Sequence, residues 1–268
     1  MPDDLPGHSQ NEPTIGICKD LGADKMVGIA SEYGIWHLVH ETPPHYESDV
    51  KTAEIMLTQL ETFLKYPASS ILTPETAGTE QEQKLLSFDK QFSCADQKLE
   101  TVEGLESHLL NWKRSKHFKS EVLLAADELF TNAIYNAPYV GDSQNPTSVP
   151  RTKEYGNNPD IRPARIFLAC DGTRLLIGCE DSYGSLNIDT LIERLKVCLQ
   201  QGAEAAIRWT DGGAGLGTYM ILRSALAYYV GVLEGKKTVV CCTYPLTHSR
   251  MEMVRNLHFA RDKEVGKP

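Results

Sequence analysis

Apolar positions along this chain follow two periods. Across residues 121–137, Leu123, Leu124, Leu129, Phe130, Ala133, Ile134 and Ala137 recur at helical spacing. Residues 165–170 and 174–180 are instead short, nearly continuous apolar runs joined by Asp171-Gly172. The first pattern predicts an amphipathic helix, and the second a β-hairpin. The same reading predicts a strand at 88–92, helices at 99–112, 188–201 and 217–229, and a closing hairpin of 230–233 with 238–244 through Glu234-Gly235. Residues 138–163, rich in Pro, Gly, Asn and Ser, read as a long loop. Upstream, 14–18, 25–30, 35–39 and 69–72 read as strands. Ser48 or Asp49 reads as the cap of a helix carrying Ala53, Met56, Leu57, Leu60, Phe63 and Leu64.

Helices interleaved with antiparallel strands predict an α+β fold, a two-layer α/β sandwich preceded by a small α/β N-terminal region. The predicted boundaries are a disordered lead at 1–13, the small region at 14–73 and a polar linker at 74–86. The main domain follows at 87–250, with a C-terminal tail at 251–268.

Composition narrows the function. The 268 residues are 41% hydrophobic, enough for a sizeable core, and carry a net charge of −9. With no unbroken basic run of five, a nucleic-acid-binding surface is not expected. No apolar stretch reaches bilayer length and the first 14 residues lack an apolar signal core. Seven cysteines without a CxxC pair read as reduced thiols of a cytoplasmic protein.

Three places carry chemistry. Glu128 and Asn132 lie one helical turn apart on one face. An amide oxygen there can ligate Mg²⁺, and the carboxylate can orient water or accept a proton. The pair alone reads equally as the solvated face of an ordinary amphipathic helix. Next, Asp181-Ser182-Tyr183-Gly184-Ser185 follows a strand, where an aspartate could accept a hydrogen bond from an adenine amino group; a plain turn is the alternative. Last, Gly212-Gly213-Ala214-Gly215-Leu216-Gly217 runs into an apolar helix, an arrangement suited to phosphate. A dinucleotide-binding turn is its rival, but 205–211 makes a poor preceding strand.

In order and spacing these pieces resemble the GHKL superfamily of ATPases and kinases. The stretch Asp127-Glu128-Leu129-Phe130-Thr131-Asn132-Ala133 is similar to its N box. Residues 181–185 and 213–217 are similar to its two glycine boxes, and Thr238 to an adenine-binding threonine. The resemblance implies ATP and Mg²⁺ as cofactors, with Asn132 the metal ligand and Glu128 the catalytic carboxylate. It further implies that Asp181, Gly184 and Thr238 bind the base. Gly213, Gly215, Leu216 and Gly217 would bind the phosphates, under a mobile lid at 186–212. The first glycine box departs from DxGxG: Tyr183 and Ser185 stand at the glycine positions, with Gly184 between them. Asn136 stands where many relatives carry His.

Within that superfamily, His108 and His117 lie too near the N box for a phospho-accepting helix, and about twenty residues follow Leu246, too few for a transducer domain. The compact modules fit best: anti-sigma-factor serine/threonine kinases, or stand-alone bacterial regulatory ATP-binding proteins, some preceded by a degenerate receiver-like unit. The implied function is phosphorylation of a partner protein, a regulatory switch protein or one similar to a sigma factor. Neither nucleic acid nor membrane is an expected partner, and a homodimer stays open. The alternative is a nucleotide-gated protein-binding module with little or no turnover.

Overall fold

The computed structural model describes residues 14–19, 21–41, 45–110, 112, 114–138, 152–202, 216–246 and 256–262. In chain order the elements are β1 (Ile15–Cys18), α1 (Ala23–Tyr33), β2 (His37–His40), α2 (Tyr46–Thr58), α3 (Leu60–Lys65), α4 (Pro67–Leu72) and α5 (Thr79–Leu85). Then come β3 (Leu86–Phe92), α6 (Lys98–Leu110), α7 (Lys116–Thr131) with a π-helical turn at Asn132–Asn136, and α8 (Lys153–Gly156). The hairpin β4 (Ala164–Cys170) and β5 (Arg174–Asp181) leads to α9 (Ile188–Gln201) and to the helix Leu216–Ser224, here α10. Strands β6 (Ala227–Leu233), β7 (Lys237–Pro245) and β8 (Asn256–Asp262) follow.

Among the described residues all eight strands join one sheet, in the order β1-β2-β8-β6-β7-β5-β4-β3. The fold is α+β, as the sequence pattern predicts. Strands β3 to β7 pair antiparallel, while β1 with β2 and β6 with β8 are parallel. One face of the sheet packs on a core that includes Leu105, Phe130, Leu195 and Ile221, from α6, α7, α9 and α10. The other face carries Phe63, Leu64, Ile71 and Leu72, from α3 and α4. The helices of 46–85 therefore cover a face that a two-layer arrangement leaves bare. Strands β1 and β2, from the N-terminal region, extend the same sheet.

Several segments differ from their sequence pattern for identifiable reasons. Residues 25–30, expected as a strand, belong to α1, where Ala23, Met26, Val27 and Ala30 are buried at i, i+3, i+4 and i+7. Residues 69–72, also expected as a strand, form α4. Pro67 opens it, and Glu82 accepts hydrogen bonds from the amides of Ala68 (3.1 Å) and Ser69 (2.6 Å). Residues 79–85 within the expected linker are helical, and Glu82 is one of their buried side chains. The helix expected at 217–229 ends at Ser224, because the Leu226 amide turns to the Thr243 carbonyl of β7 at 2.7 Å. Tyr228 and Tyr229 then point to opposite faces of the sheet, as period two demands. Within the expected tail, β8 alternates in the same way: Leu257 and Phe259 face one core, Ala260 the other. Helix α7 starts at Lys116, five residues before the expected 121, capped by Ser115, which accepts from the Phe118 amide at 3.1 Å. The lead at 1–13 lies outside the described residues.

Candidate functional site

Helix α7 is amphipathic: Val122, Ala125, Ala126, Leu129 and Phe130 are buried, leaving Glu128 half-exposed at its C-terminal end. The Asn132 side-chain amide donates to Glu128 Oε1 at 3.1 Å, and Asn136 donates in turn to Asn132 Oδ1. The ladder is continued by a π turn, in which the Ala137 amide reaches the Asn132 carbonyl at 2.9 Å. Such single π turns recur at functional sites because they re-aim side chains within a helix. Thr131 bonds back to the Asp127 carbonyl (2.7 Å) and accepts from Lys98 Nζ (3.1 Å), which also pairs with Asp127 at 2.7 Å. These contacts tie α7 to Lys98 at the start of α6.

The carboxyl end of Glu128 lies against the first turn of α10. A Cβ at Gly217 would collide with Glu128 Cδ and Oε2, so glycine here is what lets the Glu128 side chain lie against α10. Leu216 opens the helix. Gly213 and Gly215, with the remainder of 203–215, lie outside the described residues.

Asp181 ends β5 and faces Thr238 of β7 in the ladder. Its Oδ1 accepts from the amides of Tyr183 (2.9 Å) and Gly184 (3.4 Å). Burial raises the Asp181 carboxyl above its ordinary value, and these two amides and the nearby Thr238 hydroxyl hold it back. That hydroxyl approaches Asp181 without reaching hydrogen-bond geometry and is buried with no partner. Gly184 adopts φ 60° and its carbonyl accepts from the Gly235 amide at 3.2 Å. A side chain there would be strained and would strike the Leu233 carbonyl oxygen.

The two side chains at the glycine positions of this turn point to its flanks. The Tyr183 hydroxyl accepts from the Arg162 amide at 2.6 Å, under an Arg162 guanidinium 5.1 Å from the ring centre. Ser185 Oγ donates to the Ala137 carbonyl at 2.6 Å, where the π turn ends. The structure thus brings Glu128, Asn132, Asp181, Gly184, Gly217 and Thr238 onto α7, α10 and the adjoining ends of β5 and β7. The π turn, Arg162 and the Ser185 bond carry no sequence signal of their own. Of the expected lid, α9 is anchored: Ile188, Leu191, Ile192 and Leu195 are buried, and Glu193 and Lys196 bond Ser31 of α1 at 2.6 and 3.0 Å.

Elsewhere His108 lies between Phe88 and Trp112, with ring centres 6.3 Å from each, and His117 pairs with Glu121 within α7. All seven cysteines are free thiols. Among the described residues no group of three or more His, Cys, Asp and Glu side chains is arranged to hold a metal, and no helix is long and apolar enough to cross a membrane.

No protein-family model matches this chain, and a search of curated proteins finds no match. Among solved structures, the SiaB-SiaC complex from Pseudomonas aeruginosa overlaps with a TM-score of 0.43 and 14% identity. The overlap covers 61% of this chain and 93% of that one.

Proposed function

We propose that this chain is a Mg-ATP-binding regulatory protein of bacterial signalling, a member of the GHKL superfamily working in the cytoplasm. Its proposed activity is phosphorylation of a serine or threonine on a partner protein, a regulatory switch protein or one similar to a sigma factor. The observation that carries this reading is the packing of Glu128, itself bonded by Asn132, on Gly217, with the Asp181 turn tied to the same π turn through Ser185 and Ala137. These three segments are far apart in sequence, and each has an unremarkable explanation when taken alone.

The residues fit the cofactors. Thr238 carries a buried hydroxyl without a partner beside the Asp181 carboxyl, and together they offer a donor and an acceptor to a purine edge. Asn132 would give Mg²⁺ one amide oxygen, which suits a cation that keeps several waters and binds mostly phosphate oxygens. Gly213, Gly215, Leu216 and Gly217 would hold the phosphates. When bound, Mg-ATP supplies the phosphoryl group and Mg²⁺ neutralises its charge. Glu128 would hold the partner's hydroxyl and accept its proton on a carboxylate oxygen.

Calorimetric titration of Mg-ATP tests the reading, with wild type and Asn132→Ala compared with and without Mg²⁺. Micromolar binding, about −8 kcal/mol, that is weakened or made Mg-independent by the substitution is the expected result. Absence of binding at millimolar ATP would remove the kinase.

A second reading, a nucleotide-gated protein-binding module without turnover, is favoured by one observation. Glu128 is already engaged by Asn132 and packed on Gly217, rather than standing open to a hydroxyl. Steady-state phosphate release separates the two.

A further inference from the structure

The resemblance expects glycines at 183 and 185, where backbone freedom would shape the turn beneath a bound base. This chain has hydroxyl-bearing side chains at both positions, and each hydroxyl is used. Tyr183 Oη accepts from the Arg162 amide at 2.6 Å, and Ser185 Oγ donates a hydrogen bond to the Ala137 carbonyl at 2.6 Å. Two further contacts join the same flank: Arg162 Nη1 donates to the Ser182 carbonyl (2.8 Å), and Ser182 Oγ to the Pro163 carbonyl (3.2 Å). On a third side, the Gly184 carbonyl accepts from Gly235 in the β6–β7 turn. The five-residue turn is therefore fixed to the segment before β4, to the end of the π turn and to the opposite hairpin. Its aspartate is fixed with it, since Asp181 Oδ1 is bound by the Tyr183 and Gly184 amides while Oδ2 takes part in neither bond.

We propose that Tyr183 and Ser185 are positioning residues that hold Asp181 in register with the Asn132–Asn136 turn and so set selectivity for a purine bearing an amino group. This rests on the nucleotide-binding reading above. In a glycine turn the carboxylate can relax toward whatever base enters. Here relaxation requires breaking the Tyr183 and Ser185 bonds first. A fixed acceptor penalises a base that presents a carbonyl oxygen where the amino group should be, because two acceptors then face each other. The Ser185 bond extends the coupling to the helix of Asn132, so a displaced turn would also disturb the amide proposed to meet Mg²⁺.

The test compares ATP with inosine triphosphate, which carries a carbonyl oxygen in place of the amino group. Calorimetry is run on wild type, Tyr183→Phe, Ser185→Ala and Ser185→Thr, with melting temperature measured in parallel. Wild type is expected to prefer ATP by about tenfold or more. Tyr183→Phe and Ser185→Ala should each bring the ratio below about threefold at unchanged melting temperature, and Ser185→Thr, which keeps the hydroxyl, should restore it. If wild type discriminates and the first two variants discriminate equally well, the positioning role is overturned while nucleotide binding stands. A fall in the ratio matched by a fall in melting temperature, without rescue by Ser185→Thr, also overturns it, because the hydroxyls would then merely stabilise the fold. If wild type binds neither nucleotide, the underlying reading fails and the proposal fails with it.

Discussion

The two faces of the sheet each carry a cluster of polar side chains, and the clusters are built on opposite principles. Beneath α2, Arg174 is 2% exposed and donates to Asp49 (3.2 Å), Asp171 (3.0 Å) and the Leu72 carbonyl (3.0 Å). Asp49 also accepts from Asn256 at 2.7 Å. Beside them His37 and His258 meet at 3.4 Å between Nδ1 atoms, with Tyr229 stacked on His258 at 4.9 Å. On the α7 face, Glu128, Asn132 and Asp181 are only partly buried. Their partners are turn amides, neighbouring side chains and a glycine surface. The first cluster is more strongly perturbed, with Asp49 raised to about 6 and His37 lowered to about 4, both mainly by burial. Perturbed titration alone would choose the α2 face, not the α7 face, as the candidate site. Exposure separates them: the α2-side cluster is buried where β2, β5, β6 and β8 meet α2, whereas Glu128, Asn132 and Asp181 keep part of their surface in solvent.

The sharpest way to break this contrast is to substitute Arg174. Removing it strands the buried Asp49 carboxylate, and such losses cost about 3–5 kcal/mol. Arg174→Ala should therefore shift the chemical denaturation midpoint strongly, whereas Asn132→Ala should leave it within about 0.5 kcal/mol of wild type. Equal effects from the two would erase the distinction between an architectural and a functional cluster.

Acidification is next in size. His37 stays neutral in the folded protein down to about pH 4, while an unfolded histidine takes its proton near 6.5. Between those values the unfolded state binds more protons, so stability falls as pH falls, by about 3 kcal/mol from His37 alone. His258, lowered further by burial and by His37, adds to the loss. Asp49 acts in the opposite sense. Its folded carboxyl takes a proton near pH 6, the unfolded one only near 3.8, so the folded state gains between those values. Denaturation measured from pH 7 to 4 should show a net loss, steeper in Asp49→Asn and flatter in His37→Asn. A profile unchanged by either substitution would show that the α2-side cluster is not as closed as its burial indicates.

The same contrast explains what could be read from sequence. The Asp171-Gly172 hairpin, the helix of Glu128 and Asn132 and the closing hairpin were legible because periodicity and turn chemistry are local. The α2-side cluster was not. Asp49 reads as a helix cap, Arg174 as the first residue of a hairpin strand, and His258 falls within the expected C-terminal tail. Only the sheet order brings β2, β5 and β8 under α2. In α4 the decisive group is Glu82, thirteen residues after Ser69, so Ser69-Ser70-Ile71-Leu72 alone looks like a strand. At the candidate site Tyr183 and Ser185 read as departures from a pattern, because the bonds that replace glycine come from Arg162 and Ala137.

Loss of the α7 cap should have a smaller effect. Ser115 satisfies the Phe118 amide four turns before Asn132. Ser115→Ala should cost about 1 kcal/mol in stability and, under the proposed function, leave nucleotide affinity unchanged. A change in affinity would mean that α7 shifts as a rigid rod, making its buried stripe part of the site.

The smallest expected change in stability is also the most informative, at Gly217. Alanine there should gain about 1 kcal/mol from helix propensity, but its methyl group needs the space held by Glu128 Cδ and Oε2. Glu128 is half-exposed and its carboxyl group sits at the end of a flexible side chain, so it can swing away at little cost. Gly217→Ala should therefore melt within a few degrees of wild type yet lose the Glu128–Asn132 hydrogen bond. Under the proposed function, phosphate release or transfer should then fall as far as in Glu128→Ala, and the double variant should fall no further. If Gly217→Ala instead unfolds the protein, the contact of α7 with α10 is architectural, like that of Arg174 with Asp49, and the two faces of the sheet differ only in exposure.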